Sequence, residues 1–101
     1  MLKYKVIISD LARDMLISNI RFLANENIPA ANKIKNELMQ AIRSLSDMPE
    51  RFPFFNAEFI PANKYRKMFV ESWYLILYQV RDSVVFVDYI LDCRKDYKWL
   101  V

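Results

Sequence analysis

Apolar positions along the chain follow three different rhythms. Leu2 to Ile8 is a short run of Leu, Tyr, Val and Ile interrupted by Lys3 and Lys5, and Ser9-Asp10 follows it at once. That pattern predicts a strand running into a helix N-cap. From Asp10 to about Asn25 the spacing becomes helical: Ala12, Leu16, Ile20 and Leu23 form one stripe, widened by Met15 and Phe22. Asn25 to Pro29 breaks the pattern, and Pro29 suits the first turn of a second helix. There Ala31, Ile34, Leu38, Ala41, Ile42 and Leu45 share a face, while Lys33, Lys35, Asn36, Gln40 and Arg43 occupy the other. The second helix should stop at or before Met48, because Pro49 disfavours a helical residue in front of it. So short a break predicts an antiparallel helical hairpin.

Pro49 to Asn63 holds three prolines among Phe52, Phe54, Phe55 and Phe59, which predicts an irregular but packed connection. The third rhythm follows. Tyr65–Val70, Trp73–Val80 and Val84–Leu91 are rich in β-branched and aromatic residues, separated by Glu71-Ser72 and by Arg81-Asp82-Ser83. The chain contains no glycine, so hairpin loops longer or less regular than the Asn-Gly type are expected. The order is β-α-α-β-β-β. If the first strand runs up, the helices run down and up and the next strand runs down. This predicts an α+β fold in one domain, residues 1–101: an antiparallel sheet with the helical hairpin packed on one face.

Composition narrows the chemistry. At 101 residues with 54% hydrophobic and 27% charged residues, the chain is globular and long enough for one core. It has no histidine, which excludes Ser-His-Asp and Cys-His nucleophile systems and His-ligated metal sites. The lack of glycine removes GxGxxG and Walker loops. A single cysteine, Cys93, allows no internal disulfide and no Cys-rich zinc site, and fits a reducing compartment. No cofactor or metal is expected. Fifteen basic against twelve acidic residues give a net charge of +3, which permits a polyanionic partner without demanding one. The longest apolar stretch, Trp73 to Tyr78, is far short of a membrane span. Lys3, Lys5 and Asp10 interrupt anything resembling a signal peptide. A cytoplasmic protein is expected.

Few residues stand out as chemistry. Asp88 lies inside an apolar run and is expected on the solvated sheet face, paired across strands with a Lys or Arg. Lys64, Arg66 and Lys67 begin one strand, and Arg94, Lys95 and Lys98 follow the last. Strand alternation sends Arg66 to one face with Met68, and Lys67 to the other with Tyr65 and Phe69. Basic residues interleaved with rings suit single-stranded nucleic acid; charges that keep a strand end soluble are the more common reading. Trp73, Tyr74, Tyr78, Tyr89, Tyr97 and Trp99 fit a core better than a stacking platform. Cys93 has no base beside it.

The whole chain resembles the small toxins of the RelE/ParE superfamily, from bacterial type II toxin–antitoxin (plasmid stabilisation) systems. The resemblance rests on an ordered set. Its members are the opening strand with Ser9 and Ala12, helical Ala31 and Leu38, Leu45 with Pro49, and Tyr65-Arg66. Tyr74-Leu75-Ile76-Leu77-Tyr78 and the closing Ile90-Leu91-Asp92-Cys93-Arg94-Lys95-Asp96 complete it. It implies the β-α-α-β-β-β fold, a growth-arresting toxin, and a cognate antitoxin protein as partner. RelE-like members act as ribosome-dependent mRNA endonucleases through basic residues; ParE-like members bind DNA gyrase. Arg66 and Arg94 look equivalent to two RelE-type basic positions, and Tyr97 to the terminal Tyr. Met68 and Leu75 stand where further basic residues would be expected. The resemblance therefore leans to the ParE side, with gyrase as the target. A ribonuclease using Arg66, Arg94 and Tyr97, or an inactive antitoxin-binding module, is the alternative. Trp73, Tyr74, Tyr78, Trp99 and the Phe52–Phe59 loop exceed what one small core can hold, so part of this surface is expected to form a groove for an acidic antitoxin segment.

Overall fold

The computed structural model describes residues 3–58 and 60–94. Strand β1 (Lys5–Ile8) leads into helix α1 (Asp10–Ala24), then helix α2 (Ile28–Ser44) and a 3-10 turn (Pro49–Arg51). Strands β2 (Phe54–Phe55), β3 (Tyr65–Val70), β4 (Tyr74–Arg81) and β5 (Val84–Asp92) follow. Side chains set the helix boundaries. The Ser9 hydroxyl accepts from the Ala12 amide at 3.0 Å and starts α1; the Asn27 side chain accepts from Ala30 at 3.0 Å and starts α2, with Pro29 in its first turn. At the other end of α2, Arg51 donates to the carbonyls of Ser44, Asp47 and Met48 and to the Ser44 hydroxyl. A guanidinium there satisfies carbonyls that the ending helix leaves without amides.

The five strands form one mixed sheet in the order β1-β5-β4-β3-β2. The α+β fold and the helical hairpin stand as expected from the sequence, but one pairing differs: β1 runs parallel to β5. The cause is β2. This two-residue strand pairs antiparallel with β3 inside the proline-rich connection and adds one reversal of direction. With that reversal counted, β5 runs the same way as β1. The β3–β4 loop, Glu71-Ser72-Trp73, has the expected extra length, whereas the β4–β5 turn is shorter than expected. Arg81 pairs with Val84, so Asp82-Ser83 is a two-residue turn, with Asp82 at φ 56°. Without glycine, the left-handed positions fall to Met48, Asn63, Glu71, Ser72 and Asp82.

The core lies between the helices and one sheet face. Ala12, Leu38, Ile42 and Leu45 pack on Met68, Val70, Tyr74, Ile76, Tyr78, Val85, Val87 and Ile90, all buried. Tyr74 and Tyr78, expected among the surplus aromatics, are instead wholly inside. Both belong to the cluster beneath the helices, and the Tyr78 hydroxyl reaches the Pro49 carbonyl. On the opposite face Phe55, Tyr65, Leu75, Leu77 and Leu91 form a second buried cluster, with Ala57 and Ile60 of the β2–β3 connection packed against it.

Candidate functional site

The ladder registers place the basic candidates. Arg66 of β3 pairs with Tyr78 of β4 and shares the helix-side face with buried Met68. Its guanidinium donates to the carbonyls of Phe52 at 2.7 Å and Glu50 at 3.2 Å, and stacks 4.0 Å from the Phe54 ring. The Glu50 carboxylate lies 3.9 Å away. Beside it the Tyr78 hydroxyl donates to the Pro49 carbonyl at 2.6 Å. Burial pushes the Tyr78 phenol up to about 12, against the opposing fields of Arg66 and Arg51. Together these two side chains tether three carbonyls of the segment between α2 and β2.

Arg94 follows β5 at the other end of the sheet. Its Nε and Nη2 donate to the two carboxylate oxygens of Asp92, each at 3.0 Å, and the Arg94 amide adds a third bond at 2.9 Å. Asp92 is 3% exposed. A buried carboxylate requires such a partner, and the bidentate fork supplies charge and geometry together. The hydrogen bond to Asp92 raises the Arg94 pKa further. The guanidinium also lies 4.8 Å from the Trp73 ring. Burial, with the Asp92 charge, raises the Tyr74 phenol.

The two arginines are far apart. Asp92 pairs with Tyr74 and Arg66 with Tyr78, so four residues of β4 separate the two levels. That is about 13 Å along the strand, and β3 and β5 lie about 10 Å apart across β4. Tyr97 lies outside the described residues, as do Phe59, Lys95, Lys98 and Trp99.

Asp88 requires a correction. Its partner is neither Lys nor Arg: Gln79 Nε2 donates to its carboxylate at 2.7 Å. The β4–β5 ladder shifts between Leu77 and Tyr78, which pair with Tyr89 and Val87, so Asp88 is the extra residue of a β-bulge. The bulge resets the alternation and brings Ile90 back to the helix side. Tyr65 meets Tyr89 edge-on at 5.7 Å, and burial together with Asp88 raises the Tyr65 phenol.

A shallow apolar groove of about 170 Å³ is lined by Leu16, Ile17 and Ile20 of α1, with Arg21 and Lys35 at its rim. Ile17 is 42% exposed. Helical spacing could have found this groove: Ile17 lies one position off the core stripe, on the flank where α1 meets α2. Among the described residues no group of three or more His, Cys, Asp or Glu side chains could hold a metal ion, and no helix is long and apolar enough to cross a membrane.

A helical hairpin on one face of a small mixed sheet places the chain in the α+β class. The family model for the ParE toxin of the type II toxin–antitoxin system, parDE, matches residues 6–97, and the chain belongs to that family. Among solved structures, one titled as the chromosomal ParDE TA system from P. aeruginosa has the same fold. Its TM-score is 0.73 at 13% identity, over 89% of this chain and 96% of that one. No curated protein matches the chain.

Proposed function

We propose that this ParE-family toxin arrests growth by binding DNA gyrase, in the cytoplasm, and is silenced by a cognate antitoxin. Family membership supports the toxin class. The observation that carries the choice of target is the separation of Arg66 from Arg94. Cleaving a phosphodiester without metal or histidine needs several cations converging on one phosphate and a group to protonate the leaving oxygen. Arg66 is held by the Phe52 and Glu50 carbonyls and Arg94 by Asp92, at levels four β4 residues apart. Met68 and Leu75, where further cations would stand in a RelE-like enzyme, are buried apolar residues. A toxin that acts by docking needs no such convergence.

For the antitoxin, the groove between α1 and α2 offers an apolar floor with Arg21 and Lys35 at its rim. That combination suits an acidic amphipathic segment, with charge speeding encounter and apolar contacts supplying affinity. Two assays on the purified chain test the reading: inhibition of gyrase supercoiling, and transcript integrity on translating ribosomes. Inhibition with intact transcripts supports it. Ribosome-dependent cleavage that Arg66→Ala and Arg94→Ala each weaken at least ~100-fold would assign the chain to the RelE side instead.

A further inference from the structure

The sheet face turned away from the helices carries a second arrangement, separate from the helix groove. Lys5 of β1 and Arg81 of β4 both pair with Val84 of β5, and Ile7 and Gln79 both pair with Phe86. These two rows stand side by side, outside the cluster that Ala57 and Ile60 pack against. Arg81 lays its guanidinium 4.8 Å from the centre of the Phe86 ring. On the same face, Lys64 sits 5.4 Å from the Tyr65 ring and Lys67 5.9 Å from that of Phe55. Three cations thus each lie over an aromatic ring, and Lys5 is exposed beside them. At their centre the bulge presents Asp88 bonded to Gln79.

We propose that this face binds single-stranded nucleic acid. Lys5, Lys64, Lys67 and Arg81 supply the positive track that a sugar-phosphate backbone follows. The planar guanidinium of Arg81, backed by Phe86, is a stacking surface for an unpaired base. The Gln79–Asp88 pair adds hydrogen-bonding groups that a base edge can reach, with Gln79 donating to the one central carboxylate at 2.7 Å. A base can stack on the Arg81–Phe86 plane only through its own face, which a duplex keeps stacked; this selects single strands. A protein partner fits less well, because the described strand residues of this face expose only two large apolar side chains, Ile7 at 38% and Phe69 at 53%.

This binding goes beyond the gyrase reading, and its test contains no gyrase. The full chain is titrated against fluorescein-labelled single-stranded DNA, single-stranded RNA and a DNA duplex, by anisotropy over a salt series. The expected result is binding of at least one single strand well above the duplex. Four phosphate contacts give a log–log salt slope of about −3. Arg81→Gln and Phe86→Ala should each weaken binding ~10-fold. Arg81 is exposed, so its replacement leaves the fold intact even if the Phe86 variant is unstable. The double variant Lys33→Gln, Arg43→Gln on α2 should bind as the unaltered chain does. Absence of binding, equal binding of duplex, an unaffected Arg81→Gln variant, or loss through the α2 double would each overturn the proposal.

Discussion

The side-chain amide of Asn19 donates to the carbonyl of Ile90 at 3.4 Å, across 71 positions of sequence. Strand β1 stops pairing with β5 at Val87, and from there α1 lies against the edge of β5 in place of a strand. The Ser9 hydroxyl reaches the Asp88 carbonyl at 3.3 Å, and Asn19, 3% exposed, takes the next carbonyl but one. The helix therefore satisfies a sheet edge that would otherwise be a template for aggregation.

Asn19→Ala strands the Ile90 carbonyl in a dry site and should destabilise the chain by about 1–2 kcal/mol. The bond is long, which favours the lower part of that range. Urea unfolding monitored by circular dichroism measures it. A loss below about 0.5 kcal/mol would mean that the contact between α1 and the β5 edge is held by apolar packing alone.

Leu38→Ala should cost about 2–5 kcal/mol, because Leu38 has no exposed surface and its neighbours belong to both layers. Ile28→Ala, at a position 65% exposed, should change stability by less than about 0.5 kcal/mol. Equal effects from the two would contradict the assignment of the core to the Leu38 face.

Ser72 and Asp82 hold left-handed backbone at φ 72° and φ 56°. Glycine has no Cβ to resist that conformation, so Ser72→Gly should raise stability by about 0.5–1 kcal/mol after the entropy cost in the unfolded chain. Asp82→Gly should gain less, since aspartate tolerates this region better. Thermal melts decide between gain and loss.

The Tyr78 phenol is pushed up to about 12 in the fold, against about 10 in an unfolded chain. A raised pKa means that the folded state favours the protonated form. Its contribution is fully present below pH ~10 and is lost as pH rises from there toward about 12. Tyr78→Phe should cost about 1 kcal/mol at neutral pH through the bond to Pro49, and should flatten the fall in stability at alkaline pH. An alkaline profile as steep as that of the unaltered chain would contradict the placement of Tyr78.

The parts legible in the sequence are those set by periodicity and local chemistry. The α2 stripe through Leu38, Ile42 and Leu45, the Ser9 cap and the halt before Pro49 all follow from spacing and side-chain type. The alternation that separates Arg66 from Lys67 does too. What escaped depends on events with no period. The two-residue strand Phe54-Phe55 is too short to alternate, yet it reverses the direction count and turns β1 parallel to β5. The bulge at Asp88 hides in an apolar run, and the charge itself was its only mark. Asn19 sits one position before Ile20 on the core stripe, where a polar residue reads as surface. At the site, the basic residues are visible in the sequence, but their separation is tertiary: the levels of Tyr78 and Tyr74 appear only once the ladders are known.

We propose that this ParE-family chain acts by engaging gyrase. The most direct measurement is negative supercoiling of relaxed plasmid by purified gyrase with increasing toxin, repeated with the antitoxin added. Gyrase engagement predicts dose-dependent inhibition that equimolar antitoxin reverses, with transcripts on translating ribosomes left intact. Unaffected supercoiling, at toxin concentrations that halt translation by cutting ribosome-bound mRNA, would contradict it.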